Sequence, residues 1–137
     1  MRILLPLLLA GLLGACAQPA AVTTTTSTTT ASGVVFTSLQ PGQGTPPGPR
    51  DTVRVHYRGT LPDGKEFDSS HRRGQPAQFG LDKVIRCWTE GVQMMRPGGK
   101  ARLVCPPATA YGANGIPGVI PPNATLTFEV ELLAVVR

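Results

Sequence analysis

Apolar and polar residues alternate along three stretches of this chain and fall into helical spacing along a fourth. Val53, Val55, Tyr57 and Gly59 alternate with Arg54, His56, Arg58 and Thr60. Ala101, Leu103 and Cys105 alternate with Lys100, Arg102 and Val104, and Leu126, Phe128, Val130 and Leu132 with Thr127, Glu129 and Glu131. A period of two puts each apolar set on one face of a strand and leaves the other face in water. VVFTSL over Val34–Leu39 reads as a further short strand, and Lys65–Phe67 as a return strand after the turn residues Pro62, Asp63 and Gly64. The Pro- and Gly-rich run Pro41–Pro49 reads as a loop. The helix is expected around Arg86–Met95, where Trp88, Val92 and Met95 share one face before Pro97, Gly98 and Gly99 end it. One short helix with antiparallel strands predicts an α+β fold, a curved antiparallel β-sheet wrapped around one short α-helix.

The first residues break this pattern. Arg2 precedes an apolar run from Ile3 to Leu13 and the sequence LLGAC ending at Cys16. A basic start and a short apolar centre are the layout of a secretory signal over residues 1–15, and the run is too short to span a bilayer as a stable helix. Leu-Leu-Gly-Ala followed by Cys resembles the bacterial lipobox, which would make Cys16 the lipidated first residue. An ordinary cleaved signal is the alternative. The stretch AQPAAVTTTTSTTTAS that follows contains no large apolar residue to bury. It is expected to be a flexible Thr-rich linker closing the segment 16–32, because ordering it brings no burial in return. Such a chain would hold the folded domain, expected over residues 33–137, roughly 20 to 25 Å from its anchor. The expected location is therefore exported and lipid-anchored to a bacterial membrane, facing the periplasm or exterior.

The 137 residues, 41% of them hydrophobic, suffice for one small domain. The formal charge is +5, and loss of Arg2 with the signal leaves 12 basic against 8 acidic residues. The basic residues are interleaved with acids rather than gathered in a stripe, so no nucleic-acid partner is expected. His56 falls on the wet face of a strand and His71 in a loop, unlike settings that argue against a metal site. No glycine-rich phosphate loop, Ser-His-Asp arrangement or Cys-x-x-Cys motif is present, and no cofactor is expected.

Three segments carry a more specific signal. VHYRGTLPDGKEFDSS, VIRCWTEGV and AYGANGIPGVIPPNATLTFEVEL occur in the order of the motifs of the FKBP-type, macrolide-binding peptidyl-prolyl cis-trans isomerases, which the chain closely resembles over roughly residues 33–137. The resemblance implies rotation about X-Pro peptide bonds, whose barrier of about 18–20 kcal/mol comes from amide resonance. No bond breaks, so the site needs neither nucleophile nor metal; it needs an apolar cavity that favours the twisted, less polar amide. By resemblance Trp88 is the floor under the proline ring, and Tyr57, Phe67, Phe128, Val84 and Ile85 are the walls. Tyr111 is implied as a hydroxyl donor to a substrate carbonyl, Asp68 as a carboxylate at the pocket edge and the Ile85 N–H as a second donor. The flap is implied to be Ile116, Val119 and Ile120. Asp68, Tyr111, Trp88 and Phe128 are the expected catalytic residues.

Read without the resemblance, several of these positions keep plainer alternatives. Trp88 and Phe128 also fit core packing, Tyr111 a loop cap, and Asp68 an Asx turn or strand-end cap. Arg73 aligns with a basic partner of Asp68 and Tyr57, a role Arg72 also fits. Cys87 stands where the family usually has Gly or Pro, and Cys105 on the Leu103 face. We expect these two to form a disulfide, the alternative being two buried thiols. Ala77 in place of an aromatic, a shorter Phe79–Ile85 segment and Ile116 in place of a polar residue depart from the best-known eukaryotic members. They bear on substrate preference and macrolide affinity. The expected partners are proline-containing unfolded or exported polypeptides, the membrane through its lipid anchor, and macrolides such as tacrolimus or rapamycin. The expected function is isomerisation that assists the folding of exported proteins by a monomer. The rival readings are a tethered client-binding chaperone using the same groove and a structural lipoprotein.

Overall fold

The computed structural model describes Gly11, Gly14 and residues 25–137. Apart from those two glycines, the expected signal segment, Cys16 and the first part of the Thr-rich linker lie outside the described residues. The alternating stretches form the strands predicted for them. They are β3 (Thr52–Thr60), β6 (Lys100–Cys105) and β7 (Leu126–Val136), joined by β1 (Ser27–Thr29), β2 (Val35–Gln40), β4 (Glu66–Ser69) and β5 (Ala77–Gly80). All seven belong to one antiparallel sheet in the order β1-β2-β6-β7-β3-β4, with β5 on β3. The backbone of the sheet is the β3–β7 pair, in register from Thr52↔Val136 to Thr60↔Thr127 with one irregularity between Arg54 and Val55. The fold is the expected α+β arrangement, with a single α-helix among the described residues, α1 (Arg86–Val92), against one face of the sheet.

The core lies between that face and the helix. Val53, Val55, Leu81, Val92, Leu103, Leu126 and Leu132 are wholly buried. Trp88, Val92 and Met95 are buried together, as their spacing predicts, although Met95 lies beyond the last helical residue. Two close approaches fix the geometry. A Cβ on Gly91 would stand 2.6 Å from Leu103 Cδ2, and one on Gly59 would stand 2.6 Å from Phe67 Cζ and 2.8 Å from Phe128 Cε1. Glycine at these points lets α1 seat on β6 and lets two aromatic rings pack across β3.

Two features differ from expectation. The segment expected to be a linker over 16–32 contains a short strand, because Ser27–Thr29 pairs with Thr37–Val35 at the sheet edge. No apolar burial drives this; β-branched threonines suit an extended backbone, and β2 offers open hydrogen-bonding groups. The Ser27 and Thr37 hydroxyls lie 2.7 Å apart, while Thr30 and Ser32 donate to the Glu90 carboxylate of α1 at 3.2 and 2.7 Å. The last residues of the segment expected to be linker are therefore tied to β2 and α1. Second, β5 carries only four residues of mixed burial and shows no clear alternation in the sequence.

Cys87, in the first turn of α1, is bonded to Cys105 at the end of β6, with Cα atoms 5.6 Å apart. Both are completely buried. A cross-link over 18 residues restricts the unfolded chain and is worth roughly 3 kcal/mol in the chain-entropy model. Reduction, or replacement of both cysteines by alanine, is expected to lower stability by about 2–4 kcal/mol, read as a drop in midpoint on thermal unfolding by circular dichroism. An identical midpoint with and without reductant would contradict a bonded pair.

Candidate functional site

A cavity of about 490 Å³ opens between the C-terminal half of β3, β4, the β5–α1 connection and the loop after β6. Trp88 is its floor. The indole is 4% exposed, and three aromatic edges meet it nearly at right angles. Tyr57 lies at 5.1 Å and 88°, Phe79 at 5.6 Å and 90°, and Phe128 at 5.4 Å and 87°. Edge-to-face contacts of this kind are worth about 0.5–1.5 kcal/mol each beyond the area they bury. Phe67 extends the wall by packing edge-on to Phe128 at 5.6 Å. The Trp88 N–H is buried with no hydrogen-bond acceptor among the described residues.

One wall comes from a short stretch of chain between β5 and α1. Leu81 is fully buried, its N–H donates to the Asp51 carbonyl at 2.9 Å, and its own carbonyl accepts from Thr89 Oγ1 at 2.6 Å. This pins the loop that brings Val84 and Ile85 to the cavity. The Ile85 N–H has no acceptor among the described residues and lies just ahead of α1, where the first amides of a helix lack partners.

The polar edge is a three-residue network. The Tyr57 hydroxyl donates to Asp68 Oδ2 at 2.5 Å and accepts from Arg73 Nη2 at 2.9 Å, and Arg73 Nη1 donates to Asp68 Oδ1 at 2.7 Å. The guanidinium also stands 5.7 Å from the centroid of the Tyr57 ring. Arg73 is thus the basic partner, whereas Arg72 pairs with Glu66 at 2.7 Å. The Asp68 side chain is taken up by this network rather than by a turn. Tyr111, 38% exposed, lines the cavity with a hydroxyl that has no partner among the described residues, so no loop-capping bond forms there.

Residues 43–133 match the family described as FKBP-type peptidyl-prolyl cis-trans isomerase. The chain is 54% identical over 105 residues to the isomerase FkpA of Escherichia coli, covering 77% of this chain and 38% of that protein. It is 54% identical over 106 residues to FK506-binding protein 1A of Emericella nidulans, covering 75% of this chain and 98% of the relative. The chain belongs to the FKBP-type peptidyl-prolyl cis-trans isomerase family. It spans about two fifths of the length of FkpA and nearly all of the fungal relative. The crystal structure of E. coli FkpA superposes with a TM-score of 0.77 at 52% identity, over 80% of this chain and 51% of that one. A Pseudomonas syringae peptidyl-prolyl cis-trans isomerase superposes at 0.76 and 46% identity over 81% of each chain.

Against the positions that family resemblance implied, this FKBP-type domain brings Tyr57, Phe67, Asp68, Val84, Ile85, Trp88, Tyr111 and Phe128 to one cavity. Ile116, Val119 and Ile120 are not among its lining residues. Ile116 and Ile120 exchange both backbone hydrogen bonds at 2.8 Å, closing a small loop that leaves Val119 47% exposed at its tip. Ile120 is 3% exposed and belongs to the core rather than to a free flap. Two lining residues, Phe79 and Lys83, escaped sequence reasoning. The signal for Phe79 was its place beside Leu81 in FGLDKVI, too short a stretch to show a period. His56 on β3 and His71 in a 3₁₀ turn occupy the unlike elements expected, but the turn His71–Arg73 stacks their rings 4.5 Å apart at 12°, and His56 Nδ1 shares a hydrogen bond with Ser70 Oγ at 2.8 Å. Among the described residues no group of three or more His, Cys, Asp or Glu is arranged to hold a metal ion.

The network fixes the protonation of the site. Burial pushes the Asp68 carboxyl up, but hydrogen bonds from Tyr57 and Arg73 outweigh it and hold the group below its ordinary value. Burial first, and then Asp68, raise the Tyr57 phenol above its ordinary value; burial and the Asp68 charge do the same for Tyr111. Because the folded pKa of Asp68 is depressed, its contribution is present above the ordinary carboxylate value near 4 and is lost as pH falls through the lower folded value. Because that of Tyr57 is raised, its contribution is present below about 10 and is lost as pH rises through the higher folded value. Function at this site is therefore expected to be flat from about pH 5 to 9. A transition centred near neutrality in a rate-against-pH series would show that a different titrating group controls it.

Proposed function

We propose that the domain is a peptidyl-prolyl cis-trans isomerase that assists the folding of exported proteins. The observation that carries this is the floor. A buried indole, gripped edge-on by three aromatic rings, offers a flat apolar seat of the size of a proline ring, beside two unpaired donors, the Tyr111 hydroxyl and the Ile85 N–H. A planar amide is polar and well solvated in water; a twisted one has lost resonance and is less so. Transfer into this cavity costs the ground state more solvation than the twisted state, which lowers the barrier without bond cleavage. The two donors hold flanking carbonyls, so the remaining chain is fixed while the amide turns.

The site also suits a macrolide, and the family includes proteins named for binding FK506, so tacrolimus is expected to occupy the cavity and compete with clients. The domain acts as a monomer on proline-containing polypeptides. It is anchored through lipid on Cys16 and faces the periplasm or exterior of a bacterial cell. A Leu-Leu-Gly-Ala-Cys run and a disulfide, which forms and persists in oxidising compartments, support that location.

The test is proline-limited refolding of a reporter protein. The purified protein is expected to accelerate it and tacrolimus to inhibit the acceleration. Tyr111→Phe removes one hydrogen bond and is expected to slow the catalysed rate roughly two- to tenfold. Asp68→Ala, which strands Tyr57 and Arg73, is expected to act in the same direction, with the circular dichroism spectrum unchanged in both. A refolding rate equal to the uncatalysed one, with the reporter still bound, would favour the chaperone reading instead. For the anchor, Cys16→Ser is expected to move the protein from the membrane fraction to the soluble one and to abolish labelling by a palmitate analogue; label retained in the variant would exclude lipid on Cys16.

A further inference from the structure

Two charged side chains line the cavity, and only one of them is already engaged. Asp68 is held by Tyr57 and Arg73. Lys83 lines the same cavity, is exposed, and makes no ion pair and no side-chain hydrogen bond within the described residues. Arg73 at the cavity edge is taken up by Asp68, while Arg72 pairs with Glu66 and Arg86 with Glu90. Asp82, its neighbour in sequence, is exposed and outside the cavity lining. The base from which Lys83 projects is fixed. Its own N–H donates to the Gly80 carbonyl at 3.0 Å, Leu81 is anchored on both of its backbone groups, and Val84 and Ile85 continue directly into the cavity wall.

We infer that Lys83 is a specificity-determining residue that favours clients carrying a carboxylate, Glu or Asp, next to the proline seated on Trp88. The inference rests on the isomerase reading of the same cavity. A lone ammonium at the mouth attracts an anionic neighbour of the proline and repels a cationic one, and the committed Asp68 carboxylate does not reverse that preference. Because the lysine is solvated, the discrimination is modest and screened by salt.

The test uses the purified protein and short peptides with Glu, Gln or Lys placed immediately before or immediately after a single proline. Two-dimensional exchange NMR reads the cis-trans rate, and a chemical-shift titration reads binding separately. At low ionic strength the Glu peptide is expected to exceed its Lys counterpart about two- to fivefold on at least one side of the proline. The ratio is expected to fall towards unity in about 1 M salt and in Lys83→Gln, and to invert in Lys83→Glu. Equal ratios on both sides, or a ratio that survives Lys83→Gln, would overturn the inference. Accelerated exchange indifferent to peptide charge removes the role of Lys83 and leaves the isomerase standing. Binding that follows charge without accelerated exchange keeps the charge preference and removes the isomerase. Absence of both readouts for every peptide overturns both.

Discussion

The placement of one indole ring governs most of this molecule. Trp88 sits on a helix of seven residues, far shorter than a helix that would persist alone in water. What keeps it in place is tertiary. Gly91 lets the helix seat against Leu103, and the Cys87–Cys105 bond ties its first turn to β6. The Glu90 carboxylate receives Thr30 and Ser32 from the N-terminal segment. With the helix fixed, three aromatic edges from β3, β5 and β7 close on the ring, and the cavity above it has a rigid floor. The N-terminal strand and the disulfide, which lie outside the cavity lining, thus contribute to the site through the element that carries Trp88.

Tyr57 joins the apolar and polar halves of the site. Its ring packs against Trp88 and Phe79, while its hydroxyl stands between Asp68 and Arg73. The network keeps a carboxylate ionised beside a hydrophobic cavity without leaving it unpaired, which would carry a heavy desolvation cost. It also leaves no group poised to exchange a proton near neutral pH. The chemistry open to such a site is a change of medium and the orientation of carbonyls, and each 1.4 kcal/mol gained this way is about tenfold in rate.

Strongly alternating strands were legible from the sequence, because burial on one face and water on the other leave a period of two. Val53 to Gly59 and Leu126 to Leu132 are examples, and the helix face of Trp88, Val92 and Met95 was legible for the corresponding reason. Ser27–Thr29 was not. It is wholly exposed, so no burial pattern exists to find, and its pairing depends on the open edge of β2 rather than on its own residues. The aromatic walls could be assigned from family resemblance, whereas composition alone did not separate pocket lining from core, since Trp88 and Phe128 are both. Phe79 and Lys83 lie in a connection too short for periodicity. The pairing of His56 with His71 arises from a turn that brings together residues read as belonging to unlike settings.

The measurement that bears most directly on the cavity is the cis-trans exchange rate of a proline peptide in light and in heavy water, with and without the protein, compared within the pH-independent range. Rotation by desolvation and orientation involves no proton transfer, so the protein should accelerate exchange by the same factor in both solvents. An acceleration clearly smaller in heavy water would place a proton transfer in the rate-limiting step, and no acceleration in either solvent would remove catalysis from this site altogether.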